Sequence, residues 1–101
     1  MEKIYQIKYL PIAQQDLTEL IEYIQLDNPD AALSFLDKID VTISRLAYFP
    51  YSGSIPRDNR LKALNYLMLV FDNYLVFYVV IDDVVEIRRI LHGKRKYNFL
   101  F

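Results

Sequence analysis

Cysteine is absent from all 101 residues, which excludes both a disulfide framework and a thiolate metal site and leaves packing alone to stabilise the chain. That suits a reducing compartment. A single histidine makes a His-based metal centre a poor expectation, and no cofactor is expected. Glycine occurs only twice, no internal repeat is visible, and 53% apolar with 25% charged residues lies far from disordered or low-complexity composition. Long apolar runs are missing too. The longest uncharged one, Tyr74 to Ile81, has eight residues, against the roughly 20 that span a bilayer. The opening MEKIYQIKY lacks the apolar core and small-residue cleavage site of a secretory signal. The expectation is a soluble, cytoplasmic protein with no membrane partner, folded as one domain over residues 1–101. A chain of this length hides roughly 60 to 70% of its unfolded surface, enough for a core.

The formal net charge of −1 conceals an uneven distribution. Residues 1–50 carry four Lys/Arg against eight Asp/Glu, whereas residues 51–101 carry eight against five. Those eight cations, Arg57, Arg60, Lys62, Arg88, Arg89, Lys94, Arg95 and Lys96, fall in two short segments whose only acid is Asp58. If folding joins the segments, one face becomes strongly positive and attracts an anionic partner.

Periodicity gives the elements. IYQIKYL at 4–10 alternates and is rich in β-branched and aromatic residues, as a strand requires. After Pro11, the stripe Ala13, Leu17, Leu20, Ile21 and Ile24 follows one helical face, with Gln14, Gln15, Glu19 and Glu22 opposite. DNPD at 27–30 breaks that helix and starts another: Asn28 as N-cap, Pro29 at the first helical position, Asp30 facing the helix dipole. The second stripe runs Ala32, Phe35, Leu36, Ile39, Ile43 and Leu46 until Pro50 ends it, and so short a link predicts an antiparallel helical hairpin. PYSGSIPRDNR, residues 50–60, reads as one long loop. Three strands follow in succession, turning at Asp72-Asn73 and Asp82-Asp83. Strict alternation in the last one puts Val85, Ile87, Arg89 and Leu91 on one side and Val84, Glu86, Arg88 and Ile90 on the other. The predicted class is α+β, in the order β-α-α-β-β-β: an antiparallel sheet with the N-terminal helical hairpin on one face.

That order resembles the RelE/ParE superfamily of type II toxin-antitoxin toxins. The likeness rests on NPDAA at the start of the second helix, the junction LAYFPYSG, the strand NYLVFYVV and the ending VEIRRILHGKRKY, and it covers nearly the whole chain. The resemblance implies a small toxin neutralised by a cognate antitoxin, whose C-terminal segment wraps it as a helix or an added strand. Two activities occur in the superfamily. RelE-like members cut messenger RNA in the ribosomal A site without a metal, and ParE-like members inhibit DNA gyrase. The implied partners are therefore the antitoxin and either gyrase or the ribosome with its mRNA. A decayed toxin that retains only antitoxin binding is a third reading.

Individual side chains weigh between these. Metal-free RNA cleavage needs activation of the 2′-hydroxyl, a cation for the phosphorane and a proton for the leaving oxygen. By the family pattern, Gly93-Lys94-Arg95 matches the basic motif, so Arg95 would be the phosphate-stabilising cation. Leu75 and Leu67, however, stand where many nuclease relatives carry arginines. His92 is an acid-base candidate because imidazole titrates near neutrality, but the plainer reading is that it only ends the strand, bonded to backbone or facing solvent. Tyr97 has a hydroxyl near the place where nuclease members put a catalytic aromatic. Arg57, Arg60, Lys62, Arg88, Arg89, Lys94, Arg95 and Lys96 are the expected target or nucleic-acid contacts, and Phe99, Leu100 and Phe101 the expected antitoxin contacts, unless they fold back on the core. Binding to ribosomal RNA relies on many phosphate contacts. A net acidic chain with an acidic helical half is poorly suited to that, which favours the ParE-like reading.

Overall fold

The computed structural model describes residues 3–93. Strand β1 (Gln6–Tyr9) leads directly into α1 (Pro11–Asp27), whose first turn is set by Pro11 and by the Leu10 N–H, which donates to the Ile87 carbonyl at 3.0 Å. One residue then separates two helices. Asn28 closes α1 with its N–H on the Ile24 carbonyl and opens α2 (Pro29–Ser44) by accepting the Ala31 N–H at 3.2 Å. The predicted cap, the proline at the first helical position and Asp30 in the first turn are all in place. A 3₁₀ turn, Arg45–Ala47, buries Leu46 and returns the chain to β1 through the Tyr5 N–H on the Ala47 carbonyl.

The sheet order is β1-β4-β3-β2, with β2 at Leu67–Phe71, β3 at Tyr74–Ile81 and β4 at Val84–His92. The last three strands pair antiparallel, as predicted, through turns in which Asp72 (φ 51°) and Asp82 (φ 53°) take the left-handed conformation that aspartate tolerates. β1 adds to β4 in parallel, Gln6 opposite Val84 through Tyr9 opposite Ile87, so the sheet is mixed rather than antiparallel throughout. The crossover that parallel pairing needs is the whole helical hairpin plus β2 and β3.

Both faces of the sheet are buried. On one, Ala13, Phe35, Ile39, Ile43 and Leu46 from the hairpin pack against Val76, Tyr78, Val85, Ile87 and Ile90. On the other, Phe77, Val79 and Leu91 are covered by Leu61 and Tyr66. This is why β3 reads as an unbroken apolar run.

Two expectations are corrected here. Residues 50–60 are not simply loop leading to strand: α3 (Asn59–Ala63) starts at Asp58, whose carboxylate accepts the Arg60 N–H at 2.9 Å and the Leu61 N–H at 3.1 Å. Five residues are too few to show a period, and burial of Leu61, on the order of 2 kcal/mol, holds the helix down. Strict alternation in β4 also fails. Tyr78 pairs with Ile87 but Phe77 pairs with Arg89, so Arg88 is an extra residue in a β-bulge. Past it, Ile90 rather than Arg89 joins Val85 and Ile87 in the hairpin-side core, and Leu91 passes to the opposite one.

Candidate functional site

The bulge gives two consecutive arginines different surroundings. The Arg89 guanidinium makes a two-point contact with the buried Asp16 of α1, Nε to Oδ2 at 2.8 Å and Nη2 to Oδ1 at 2.9 Å. Asp16 Oδ2 also accepts the Ile90 N–H at 3.0 Å, occupying the edge of β4 just beyond the last residue that β1 covers. The side chains are 12% and 9% exposed. Hydrogen bonding to Asp16 raises the Arg89 pKa despite burial, so the charge is kept and spent internally.

Arg88 has different partners, on the α3 side of the sheet. Its Nε donates to Glu86 Oε1 at 2.8 Å, Nη1 donates to the Tyr66 hydroxyl at 3.3 Å, and the guanidinium sits 5.5 Å from the centre of the Tyr66 ring. Burial works against its charge, but Tyr66 and Glu86 outweigh that and the pKa is raised. Tyr66 shares its apolar cluster with Leu61, so α3, which carries Arg60 and Lys62, lies on this same face of the sheet. Arg57 precedes the Asp58 cap, and Arg57, Arg60 and Lys62 are all exposed. These three, beside an Arg88 whose charge Glu86 offsets, form the basic side among the described residues.

His92 belongs elsewhere. Its ring meets Tyr74 edge-on at 5.5 Å, and Tyr74 in turn meets Phe35 of α2 at 4.9 Å, on the hairpin side of the sheet. Lys62, Arg89 and His92 therefore occupy three different surroundings and do not converge. Lys94, Arg95, Lys96, Tyr97, Phe99, Leu100 and Phe101 lie outside the described residues. No group of three or more His, Cys, Asp or Glu that could hold a metal occurs among the described residues, and no described helix is long and apolar enough to cross a membrane.

Sequence reasoning missed the partners: Asp16 for Arg89, and Tyr66 with Glu86 for Arg88. One signal was available. Asp16 sits three residues after Ala13 and four before Leu20, an acid on the helix face that the apolar stripe assigns to the core.

Tyr78 crosses the hairpin-side core to the loop before α3, where its hydroxyl accepts the Gly53 N–H at 3.0 Å. Ser54 and Met68 exchange both backbone hydrogen bonds at 2.8 Å, so this loop is fixed to the outer edge of β2. A Cβ on Gly53 would lie 2.6 Å from the Tyr78 hydroxyl and 2.9 Å from the Met68 carbonyl oxygen. Glycine is the residue that this approach admits. The loop that carries Arg57 thus starts from a rigid anchor.

Known proteins share this architecture. The family model described as "ParE toxin of type II toxin-antitoxin system, parDE" matches residues 7–97. The Sinorhizobium fredii protein named "Putative toxin Y4kP" is 32% identical over 91 residues, covering 90% of this chain and 91% of its own. Among solved structures, the chromosomal ParDE system from P. aeruginosa superposes with a TM-score of 0.75 at 16% identity, over 88% of this chain and 96% of that one. The RelBE2 toxin-antitoxin complex from Mycobacterium tuberculosis gives 0.62 at 20% identity, over 88% and 98%. The strand order, the helical hairpin and the matched span agree: the chain belongs to the ParE toxin family of type II toxin-antitoxin systems.

Proposed function

We propose that this toxin arrests growth by binding DNA gyrase and that a cognate antitoxin neutralises it. The observation that carries the choice of target is Leu75. It stands where nuclease relatives place an arginine, and it packs against the cluster of Leu61, Tyr66, Phe77, Val79 and Leu91. An apolar patch at that point offers nothing to a phosphorane. Arg89, the cation next along β4, is held by Asp16, and His92 lies on the opposite side of the sheet from Arg88. The described residues thus offer a basic surface for binding an anionic or acidic partner, without the convergent cation and acid-base pair that strand scission needs. The solved neighbours are described as a toxin-antitoxin system and a toxin-antitoxin complex, which supports a cognate antitoxin for this chain.

Purified toxin is expected to block gyrase supercoiling of relaxed plasmid at micromolar concentration, and Arg57→Ala/Arg60→Ala/Lys62→Ala is expected to weaken that block at least tenfold while leaving the unfolding midpoint near the parent's. Full supercoiling in the presence of folded toxin would refute the gyrase reading. Codon-positioned cuts in a translating message, lost on Arg95→Ala, would assign the chain to the ribosome-dependent endoribonucleases instead. Unchanged growth on expression without antitoxin would leave only antitoxin binding.

A further inference from the structure

The α3 side of the sheet gains a cation that the order of the chain conceals. Tyr5, Ile7 and Tyr9 pack into the hairpin-side core, so the pleat of β1 turns Gln6 and Lys8, both exposed, to the opposite face. Parallel pairing then sets Lys8 opposite Glu86 of β4, two residues from Arg88. A lysine from the acidic half of the sequence thereby joins Arg57, Arg60, Lys62 and Arg88. The acids on this side are already engaged: Glu86 holds Arg88, and the Asp58 carboxylate caps α3. Among the described residues, no acid lies within ion-pair distance of Lys8, Arg57 or Lys62. The helical layer has the reverse balance. α1 and α2 carry seven Asp/Glu, of which Arg89 neutralises only Asp16, against one lysine, Lys38, with Arg45 just past the end of α2. Asp72, Asp82 and Asp83 stand in the turns at the two ends of the sheet, Asp83 paired with Lys3. Opposite charge on opposite layers orients the molecule in the field of an anion, with the α3 side leading and the hairpin turned away.

We propose that the α3 side is a contact surface for the phosphate backbone of duplex DNA, with Lys8 as its outlying contact. The choice of polyanion rests on the gyrase reading, because duplex DNA is what gyrase works on and a toxin bound there meets it. Spacing favours a polyanion over a small one. β1 lies two strands from β3, over which the α3 cluster packs, so Lys8 and the α3 cations are spread over on the order of 10 Å. A duplex carries one charge about every 1.7 Å of its axis and spans that distance, whereas a single phosphate does not. So few contacts bind weakly alone, in keeping with a net charge of −1, and contacts to gyrase supply the remaining affinity.

The full chain is titrated into a fluorescently labelled duplex of about 20 base pairs, without gyrase, and anisotropy is followed between about 50 and 200 mM salt. Weak binding that falls with salt is expected. Each phosphate contact contributes about 0.9 to the steepness of log Kobs against log salt, so Lys8→Ala should reduce it by about 0.9 and Lys8→Ala/Arg57→Ala/Lys62→Ala by about 2.7. Lys38→Ala/Arg45→Ala removes two exposed cations from the hairpin layer and should leave the slope unchanged. All five side chains are exposed, so the unfolding midpoints should stay near the parent's. Absence of duplex binding, a parental slope for Lys8→Ala, or an equal loss in the hairpin-layer variant would overturn the proposal. Supercoiling blocked by a chain that does not bind the duplex would assign these cations to an acidic surface of gyrase instead. Duplex binding by a chain that leaves supercoiling intact would remove the gyrase reading and keep the DNA surface.

Discussion

Replacing Asp16 with alanine should be among the most damaging single substitutions in the described chain. The carboxylate accepts three hydrogen bonds, two from Arg89 and one from the Ile90 N–H, and both charged side chains are almost out of water. Removing it strands a guanidinium and leaves a strand-edge N–H unsatisfied. Breaking a buried ion pair from one side typically costs about 3 to 5 kcal/mol. Exposures of 9% and 12% call for little discount for solvent screening. Against a total stability on the order of 5 to 15 kcal/mol, that is a large share. Urea unfolding followed by circular dichroism should show the midpoint falling with the slope unchanged. The double substitution Asp16→Ala/Arg89→Met removes the stranded charge as well, and should recover much of the loss, short of about 1 to 3 kcal/mol for the Ile90 N–H. If Asp16→Ala costs under about 1 kcal/mol, or if the two substitutions simply add, the buried pair does not hold α1 to β4 in the way its geometry implies.

Three further outcomes follow from local geometry. Gly53→Ala is expected to lose about 1 to 3 kcal/mol through the collision with the Tyr78 hydroxyl and the Met68 carbonyl, and Tyr78→Phe in the same chain should recover part of it, both read by thermal unfolding. Asn28→Ala should cost about 0.5 to 2 kcal/mol by urea unfolding, since one side chain caps α2 at the joint between the helices. Burial, with Asp40 adding to it, pushes the Tyr9 phenol up to about 12 from the ordinary 10.0. The folded chain therefore keeps that proton where the unfolded chain loses it, so stability should decline as pH rises between these values. Tyr9→Phe should flatten the decline, and ultraviolet titration should show one fewer late-ionising tyrosine.

Features that were legible in the sequence are those set by neighbours along the chain. Asn28-Pro29 marks a cap and a first turn whatever the fold does, and aspartates at 72 and 82 accept left-handed geometry within their own turns. The apolar stripes of α1 and α2 were equally readable, because a period of 3.6 persists over sixteen or more residues. What escaped depends on distance or on single residues. The Asp16–Arg89 contact joins positions 73 apart, and the parallel addition of β1 to β4 is decided by how the hairpin folds over. No residue type announces the extra place at Arg88, so alternation was carried one step too far and put Arg89 and Leu91 with Ile87. The basic side therefore keeps fewer cations than a count along the chain implies, Arg89 being withdrawn by a helix that the count did not consider.

A sheet enclosed on both sides has an experimental use. Along β3, Val76 and Tyr78 belong to the compartment under the helical hairpin, while Phe77 and Val79 belong to the one under α3. Moving a conservative substitution by an odd number of positions shifts the disturbance through the wall of the molecule to its other side. Paired variants such as Val76→Ala and Val79→Ala can thus be matched in lost methyl groups yet differ in which surface they loosen, separating a partner that needs the hairpin side from one that needs the basic side.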